Sequence, residues 1–251
     1  MLGRLFPVLR ERYGGPELMD LPDVSEKKLI NTLRQFSLLN ILFTRSRRLI
    51  EKYILADMLQ SPGETYEFLD LGAGGCDIAI WLLKRCRHMG LDVSITCLDH
   101  DQRIVKYAGG KCRAYREIRI IEASALELEK LASYDYVFAN HLLHHLPSEQ
   151  WPVLIDALVR QTRNIFLLND VRRSYWAYAG YAFFAGIFMH NSFAFVDGLL
   201  SIRKVISVHE MREAVSACGL KKSITIETVL PALVFVLGQI RKPTTKIAIE
   251  V

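Results

Sequence analysis

Apolar residues recur along the chain with two different periods, and the order of those periods predicts a fold. Over residues 25–60 they have the three- and four-residue spacing of amphipathic helices, as at Leu29, Leu33 and Phe36. Short apolar runs typical of buried strands follow at 66–71, 93–98, 118–122, 134–139 and 165–169. Helical spacing returns between them at 79–87, 102–115 and 149–163. Strands that alternate with helices predict a parallel sheet with right-handed crossovers.

The last part of the chain predicts another kind of strand pairing. A helix over 209–217 stops at Gly219, and strand-like runs at 223–229 and 233–240 are joined by a turn at Pro231. These runs predict an antiparallel hairpin at the end of the sheet. The expected fold is therefore an α/β, doubly wound, seven-stranded sheet, mostly parallel, with N-terminal helices and an insertion after the fifth strand.

The end of the first predicted strand carries the most informative chemistry. Residues 67–77 read EFLDLGAGGCD, an apolar run that closes on Asp70 and enters a glycine turn before a helix. Gly72 and Gly74 let the backbone approach a ligand, because neither has a Cβ atom. Carboxylates at Asp70 and Asp77 repel a pyrophosphate and attract a positively charged ligand. The dinucleotide fingerprint requires a glycine where Asp77 stands, so a cationic nucleoside fits better.

This segment resembles the first motif of the class I S-adenosylmethionine-dependent methyltransferases. The motif has an acidic residue followed by three alternating glycines, of which Asp70, Gly72 and Gly74 match the first three positions. Cys76 stands at the third glycine, where we expect a tolerated small residue rather than a reactive thiol. The resemblance implies a Rossmann-like fold, S-adenosylmethionine (SAM) as cofactor with S-adenosylhomocysteine (SAH) as product, and a cofactor contact at Ala73.

Further candidate site residues end the next two strands, because ligands of open α/β sheets lie beyond the carboxyl ends of the strands. Asp99 is predicted to accept hydrogen bonds from the two ribose hydroxyls. The alternative is that Asp99 caps the helix that begins near residue 102. By resemblance, His100 lies beside the adenine. Ser124 stands where the family has an Asp that accepts from the adenine amino group, with a helix N-cap as the alternative, and Ala125 adjoins it.

The fourth strand leads into Asn140, which is assigned to the cofactor site, and into His141, His144 and His145. The resemblance places this segment below the activated methyl group. A neutral imidazole at His144 or His141 could then remove a proton from an acceptor hydroxyl. His145 is expected to pack against the sheet. No metal site is predicted, because the histidines lack acidic companions at ligand spacing.

The predicted domains are an N-terminal helical cap, 1–60, and a catalytic domain, 61–251, with an aromatic insertion at about 171–205. The insertion, with Trp176 and Phe184, predicts a lid or acceptor wall, and plain core packing is the alternative. Its apolar run 175–189 is shorter than the ~20 residues that cross a bilayer, so membrane contact is expected to be peripheral at most.

Charge and cysteine content bear on the location of the protein and on its partners. The 251 residues carry a net charge of +5 with scattered basic pairs, so no nucleic-acid partner is expected. Five cysteines form no Cys-x-x-Cys pair, and residues 1–12 show no signal-peptide cleavage site, so a cytoplasmic location is expected.

The predicted function is methyl transfer from SAM to an oxygen, less favourably a carbon, of a small aromatic or lipophilic acceptor. The chain resembles a bacterial subgroup that methylates polyketides, quinols and phenols. The alternatives are a nicotinamide-dependent oxidoreductase and a SAM-binding protein without turnover. The acceptor itself and the oligomeric state stay open.

Overall fold

The computed structural model of the chain describes residues 9, 11–60, 65–205, 207–218, 224–229 and 233–240. A seven-stranded sheet of order β3-β2-β1-β4-β5-β7-β6 lies at its centre. The strands are β1 (Thr65–Leu71), β2 (Asp92–Asp99), β3 (Ile118–Glu122), β4 (Tyr134–Asn140), β5 (Thr162–Val171), β6 (Ile224–Val229) and β7 (Leu233–Gln239). Strands β1 to β5 pair in parallel, and β7 pairs antiparallel with both β5 and β6. The predicted fold is therefore confirmed.

The helices lie before the sheet, between its strands and in the insertion. They are α1 (Glu26–Leu42), α2 (Ser46–Leu49), α3 (Ala56–Met58), α4 (Asp77–Met89), α5 (Gln102–Cys112), α6 (Trp151–Gln161), α7 (Tyr175–Phe188), α8 (Ala194–Lys204) and α9 (Val208–Ala217). A π-helical segment, Ile50–Leu55, joins α2 to α3. The predicted helix 149–163 is longer than α6, because the β-branched Thr162 adopts extended backbone and pairs with Tyr134.

Apolar layers cover both faces of the sheet. Phe68 packs in a cluster with Leu82 of α4, whereas the next residue, Leu69, packs in a second cluster with Leu154 of α6. Parallel strands buried on both faces read as nearly continuous apolar runs, which is why the sequence pattern reveals them. Complete burial of a side chain such as Phe68 contributes about 1.5–3 kcal/mol. The sheet is thus a rigid base for the residues that end its strands.

The N-terminal helix and the insertion pack together over the carboxyl ends of the strands. Ser25 caps α1 by accepting from the Lys28 backbone N–H. Leu33 of α1 packs in a cluster with Ile104 of α5, and Phe36 packs against a cluster that contains Ala185 of α7. The insertion therefore consists of two helices that pack against the predicted cap.

Some predictions fall on residues that the structure does not describe. The turn at Pro231, the helix stop at Gly219 and most of the N-terminal segment 1–12 lie outside the described residues. The predicted boundary after residue 60 adjoins the undescribed segment 61–64, and the division into domains stays a prediction. Among the described residues, no helix combines the length and apolar character needed to cross a membrane.

Candidate functional site

The chain turns sharply between β1 and α4. Gly72 and Gly74 have φ angles of +73° and +51°, in the left-handed region that glycine enters without a Cβ penalty. The N–H groups of Gly72 and Ala73 donate to the carbonyl oxygen of Leu98 at 2.8 and 2.9 Å, which ties the turn to β2. β1 lies between β2 and β4, where the strand order reverses. The glycine turn thus stands at the topological switch point, the usual ligand site of such sheets.

Cys76 occupies the third turn position with a φ of +55°, although it is not a glycine. Hydrogen bonding to Cys112 lowers the pKa of its thiol, but hydrogen bonding to Cys97 and burial outweigh that effect and raise the pKa. A buried, protonated thiol is a poor nucleophile. The geometry agrees with a small residue that tolerates the turn.

Asp99 is held in place at the end of β2. Its Oδ2 accepts from the Gly74 N–H at 2.9 Å, and its Oδ1 accepts from the Asp101 N–H at 3.1 Å. Helix α5 is capped by Asp101, which accepts from the Arg103 N–H at 2.8 Å. The alternative in which Asp99 caps this helix is therefore wrong. Asp99 keeps lone pairs for further donors such as hydroxyl groups.

Asp70 is buried at the end of β1 with its Oδ2 unpaired among the described residues. Burial raises the pKa of Asp70 to about 8, and the nearby charges of Asp77 and Asp99 act in the same direction. An unpaired buried carboxylate is costly unless a positive group approaches it. The loop therefore fits a ligand that brings positive charge.

A network of amides links the glycine turn to the N-terminal helices. Asn40 of α1 donates to Asp77 at 3.2 Å and accepts from Asn140 Nδ2 at 2.9 Å. Asn140 Oδ1 accepts from Ser46 Oγ at 2.7 Å and from Asn169 Nδ2 at 2.9 Å. Burial raises the pKa of Asp77, while the hydrogen bond from Asn40 opposes that shift. Asn140 thus holds the turn through Asn40.

Asn40 is not among the predicted cofactor-site residues, because only the tertiary fold brings it to the glycine turn. The signal in the sequence is a single amide within the apolar run 36–43. A buried amide requires partners, so such a residue marks a polar contact within an apolar layer.

The residues predicted around the adenine also border this end of the sheet. Ser124 caps the 3₁₀ turn Ala125–Lys130 in a capping box with Glu127, so the N-cap alternative is confirmed. Its Oγ accepts from the Leu126 N–H at 3.2 Å, which leaves the hydroxyl proton available to an acceptor. His100 is largely exposed, with Nδ1 3.8 Å from Asp99 Oδ1.

Asp170, near the end of β5, is the centre of the histidine cluster. It accepts from the backbone N–H groups of His144 and Val171 at 3.2 and 2.8 Å. His144 Nδ1 lies 3.0 Å from each carboxylate oxygen, and His141 Nδ1 lies 3.3 Å from Oδ1. Burial opposes ionisation of Asp170, but the two histidines outweigh it and hold the pKa well below its usual range. An ionised Asp170 accepts only, so each Nδ1 donates.

The two histidines differ in access. The His141 side chain is 25% exposed, and its Nε2 is left as a free acceptor when Nδ1 donates to Asp170. The His144 side chain is 3% exposed, and its Nε2 lies 3.6 Å from the buried Glu17. Burial lowers the pKa of His144, although the charges of Asp170 and Glu17 oppose that shift. His141 is thus the more accessible of the two, and His144 contacts Asp170 from the buried side.

His145 contacts the N-terminal segment, which the expectation of packing against the sheet did not include. Its ring centroid lies 4.3 Å from that of His144, and its Nδ1 lies 3.4 Å from Asp20 Oδ2. Burial alone would lower its pKa, but the hydrogen bond to Asp20 and the charge of Glu17 raise it. His145 thus joins the N-terminal segment to the cluster.

The histidines lack acidic companions at ligand spacing in the sequence, but the fold brings two carboxylates from distant segments to them. Glu17, His144 and His145 form one group of potential metal ligands, and His141, His144 and Asp170 form another, each within 4.8 Å. Asp170 and Glu17 come from distant parts of the chain, so local spacing does not reveal them. Lys204 Nζ lies 3.5 Å from Glu17, and Ser201 Oγ donates to it at 3.0 Å. These contacts already supply partners to the acidic members.

A cavity of about 1190 Å³ brings the candidate residues together. All twelve predicted site residues line it: Asp70, Gly72, Ala73, Gly74, Asp77, Asp99, His100, Ser124, Ala125, Asn140, His141 and His144. Phe43, Trp176 and Phe184 line it as well. The candidate cofactor residues that follow β1, β2 and β3 form a polar half of the cavity, and Phe43, Trp176 and Phe184 form an aromatic half. His141 directly follows β4, which lies between β1 and β5 in the sheet. His141 therefore lies between the two halves.

Comparison with known proteins bears on the predicted family. Residues 68–164 match the family model of a methyltransferase domain. No match is found among curated protein sequences. The match favours the methyltransferase prediction over the oxidoreductase alternative.

Three solved structures illustrate the likeness. The CurJ carbon methyltransferase is 14% identical, with a TM-score of 0.60 over 88% of this chain and 62% of that chain. Human N-acetylserotonin methyltransferase, solved with SAM, is 13% identical, with a TM-score of 0.58 over 86% and 56%. The plantazolicin methyltransferase BpumL, solved with SAH, is 11% identical, with a TM-score of 0.58 over 86% and 95%. This chain thus spans less than two thirds of the first two, and such identities show a shared fold.

Proposed function

We propose that this chain, whose residues 68–164 match a methyltransferase domain, is a class I S-adenosylmethionine-dependent methyltransferase, and we propose an acceptor class and a proton path for it. It transfers a methyl group from SAM to an oxygen of a small lipophilic, aromatic acceptor. The observation that carries the proposal is the single cavity in which the carboxylate-rich turn, the Asp170–His141 pair and an aromatic wall meet.

The polar half of the cavity has the chemistry that SAM requires. Asp70 offers a buried, unpaired oxygen to a positive group, and the fixed Asp99 offers lone pairs to ribose hydroxyls. Gly74 leaves open the space that a side chain would occupy. When bound, SAM supplies a methyl group on a good leaving group, so the protein has to align the acceptor, exclude water and accept a proton.

The aromatic half supports a lipophilic acceptor. Phe43, the C-cap of α1, and Phe184 of α7 make an edge-to-face contact with ring centroids 4.9 Å apart. Both line the cavity together with Trp176. An apolar wall next to a few convergent polar groups is typical of small-molecule sites.

The Asp170–His141 pair supports an oxygen acceptor. A hydroxyl loses its proton as its oxygen is methylated, and a neutral imidazole held by a carboxylate can take that proton at Nε2. Asp170 orients the ring through Nδ1, and His144 orients Asp170 from the other side. His141 is thus the proposed base, and His144 a positioning residue.

The test is turnover with labelled SAM on a panel of phenols, quinols and lipophilic alcohols, with products identified by mass spectrometry. We expect a product heavier by one CH₂ from a hydroxylated aromatic compound. Methylation only at carbon would contradict the oxygen acceptor. Tight SAM binding without any product would support the non-catalytic alternative instead.

Replacing Asp99 by Ala is expected to weaken SAM binding by about 1.5–3 kcal/mol, because a charged acceptor of two hydroxyls is lost. Isothermal titration calorimetry measures the affinity, and circular dichroism checks the fold. The matched control is Asp101→Ala, which removes the cap of α5 from the same strand end. The control should lose about 1 kcal/mol of stability and keep its affinity. Equal affinities of the two variants would remove Asp99 from the site.

SAM affinity is expected to rise with pH. Asp70 has a pKa of about 8 in the free protein and must ionise to pair with a cation, so binding releases a proton. The association constant should increase about tenfold per unit over roughly pH 5.5–7.5, where an α-ammonium group stays mostly charged. Burial raises the pKa values of Asp77 and Asp99 as well, which acts in the same direction.

Asp70→Asn is the control for this pH dependence, since the amide cannot ionise. We expect weaker binding with a shallower slope, measured by calorimetry in buffers of different ionisation enthalpy. Proton uptake on binding to the wild-type protein would contradict the assignment.

A further inference from the structure

A large apolar face surrounds the aromatic half of the cavity. We call it the α1/α7 face and define it by Leu38, Leu42 and Phe43 from the end of α1 and by Trp176, Phe183 and Ile187 of α7. Trp176 is 88% exposed and Phe183 74%. The contact of Phe43 with Phe184 joins the two helices into one surface. Exposed apolar patches of this kind mark contact with a partner or a membrane.

The spacing of these residues gives each helix one outward apolar side. Leu38 and Leu42 are four residues apart, and Trp176, Phe183 and Ile187 are separated by seven and four, so each set shares a helix face. Helix α7 contains no charged residue, and it begins with Tyr175 and Trp176. Tyrosine and tryptophan are enriched where a protein meets the headgroup region of a bilayer.

The two segments that carry this face are rich in basic residues. Residues 27–50 and 171–196 contain eight Lys and Arg and no Asp or Glu, whereas the whole chain has a net charge of only +5. Arg34 precedes Leu38 by one helical turn, and Arg45 and Arg48 follow Phe43, all three exposed. Exposed basic residues beside an apolar face complement anionic lipid headgroups.

We propose that the α1/α7 face docks the protein on the surface of an anionic bilayer. Helix α7 then lies in the headgroup interface of the bilayer. Among the described residues, no helix can cross a membrane. Phe43 and Trp176 belong both to this face and to the cavity lining, so the cavity opens toward the membrane. Lipophilic acceptors then enter from the bilayer. The entry of acceptors from the bilayer rests on the proposed function, whereas the docking of the protein on the bilayer does not depend on it.

The test is co-sedimentation of the whole protein with vesicles of phosphatidylglycerol and phosphatidylcholine, and with phosphatidylcholine alone. We expect binding to the anionic vesicles that weakens as salt rises from about 0.1 M to about 0.5 M. Phe183→Glu with Ile187→Glu should lower binding about tenfold or more. Neither residue lines the cavity. The matched control, Val153→Glu on α6, changes a residue that is 55% exposed elsewhere and should bind normally.

Charge is tested separately. Arg34→Gln with Arg48→Gln should weaken binding to anionic vesicles, while Arg113→Gln with Arg116→Gln, an equal change at exposed positions on another side, should not. Trp176 reports the location, because brominated lipids should quench its fluorescence and Trp176→Phe should remove that quenching.

Three results would overturn the proposal. The first is the absence of vesicle binding, and the second is equal binding by the glutamate variant and its control. The third is a dimer in light scattering that dissociates in the glutamate variant, which would assign the face to a second copy of the chain. An unchanged SAM titration in the Phe183/Ile187 variant, whose two positions do not line the cavity, keeps the proposed function independent of these outcomes.

Discussion

Replacing His141 by Asn is expected to lower kcat by about 10²–10⁴, with SAM affinity near that of the wild type. The His141 side chain is 25% exposed, whereas that of His144 is 3% exposed, and Asp170 holds the His141 ring by Nδ1. Asparagine suits this position because His141 has a φ of +58°, a region that Asn tolerates better than most residues. The substitution therefore removes the basic nitrogen and keeps the backbone. Steady-state kinetics and calorimetry measure the two quantities.

His144 provides the comparison. His144→Ala removes a buried partner of Asp170, so the free energy of unfolding of this variant should fall. Added imidazole should restore little of any activity that this variant loses. Imidazole should restore part of the activity of the His141 variant, because the cavity is large enough to admit it. If the His144 variant lost turnover at unchanged stability and the His141 variant kept it, the base would be His144.

Much of the fold is predictable because its signals are local. The buried strands β1 and β4 are apolar runs that end in Asp70–Leu71 and Asn140, so both their position and their polar ends can be read from the sequence. The C-terminal runs around the undescribed turn at Pro231 also pair as predicted. Errors arise at helix ends, where one β-branched residue such as Thr162 decides between helix and strand.

The site is less predictable, since its decisive contacts are distant in sequence. His141 and Asp170 are 29 residues apart, and Asn40 reaches Asn140 over 100. Spacing within one segment indicates which histidines are close together, but not which one is covered by Glu17. Burial distinguishes the proposed roles of His141 and His144, and the burial of His144 involves Glu17 of the N-terminal segment.

Replacing Gly74 by Val is expected to abolish detectable SAM binding. Gly74 has a φ of +51°, where a side chain costs about 1–2 kcal/mol, and its N–H donates to Asp99. Leu33 Cδ2, 3.9 Å from a Cβ built there, is the only neighbour within 4 Å among described residues, so the branched side chain would project into the cavity. It would then occupy the space left for the ligand. Calorimetry with SAM measures the loss.

Gly90→Val separates ligand exclusion from backbone strain. Gly90 ends α4 with a φ of +69°, and a Cβ there would meet nothing within 4 Å in the described part of the chain. Both variants should lose similar stability in urea unfolding, because both place a β-branched residue in the left-handed region. Only the variant at Gly74 should lose SAM binding, since Gly90 does not line the cavity. Normal binding by the Gly74 variant would limit this glycine to a role in the turn.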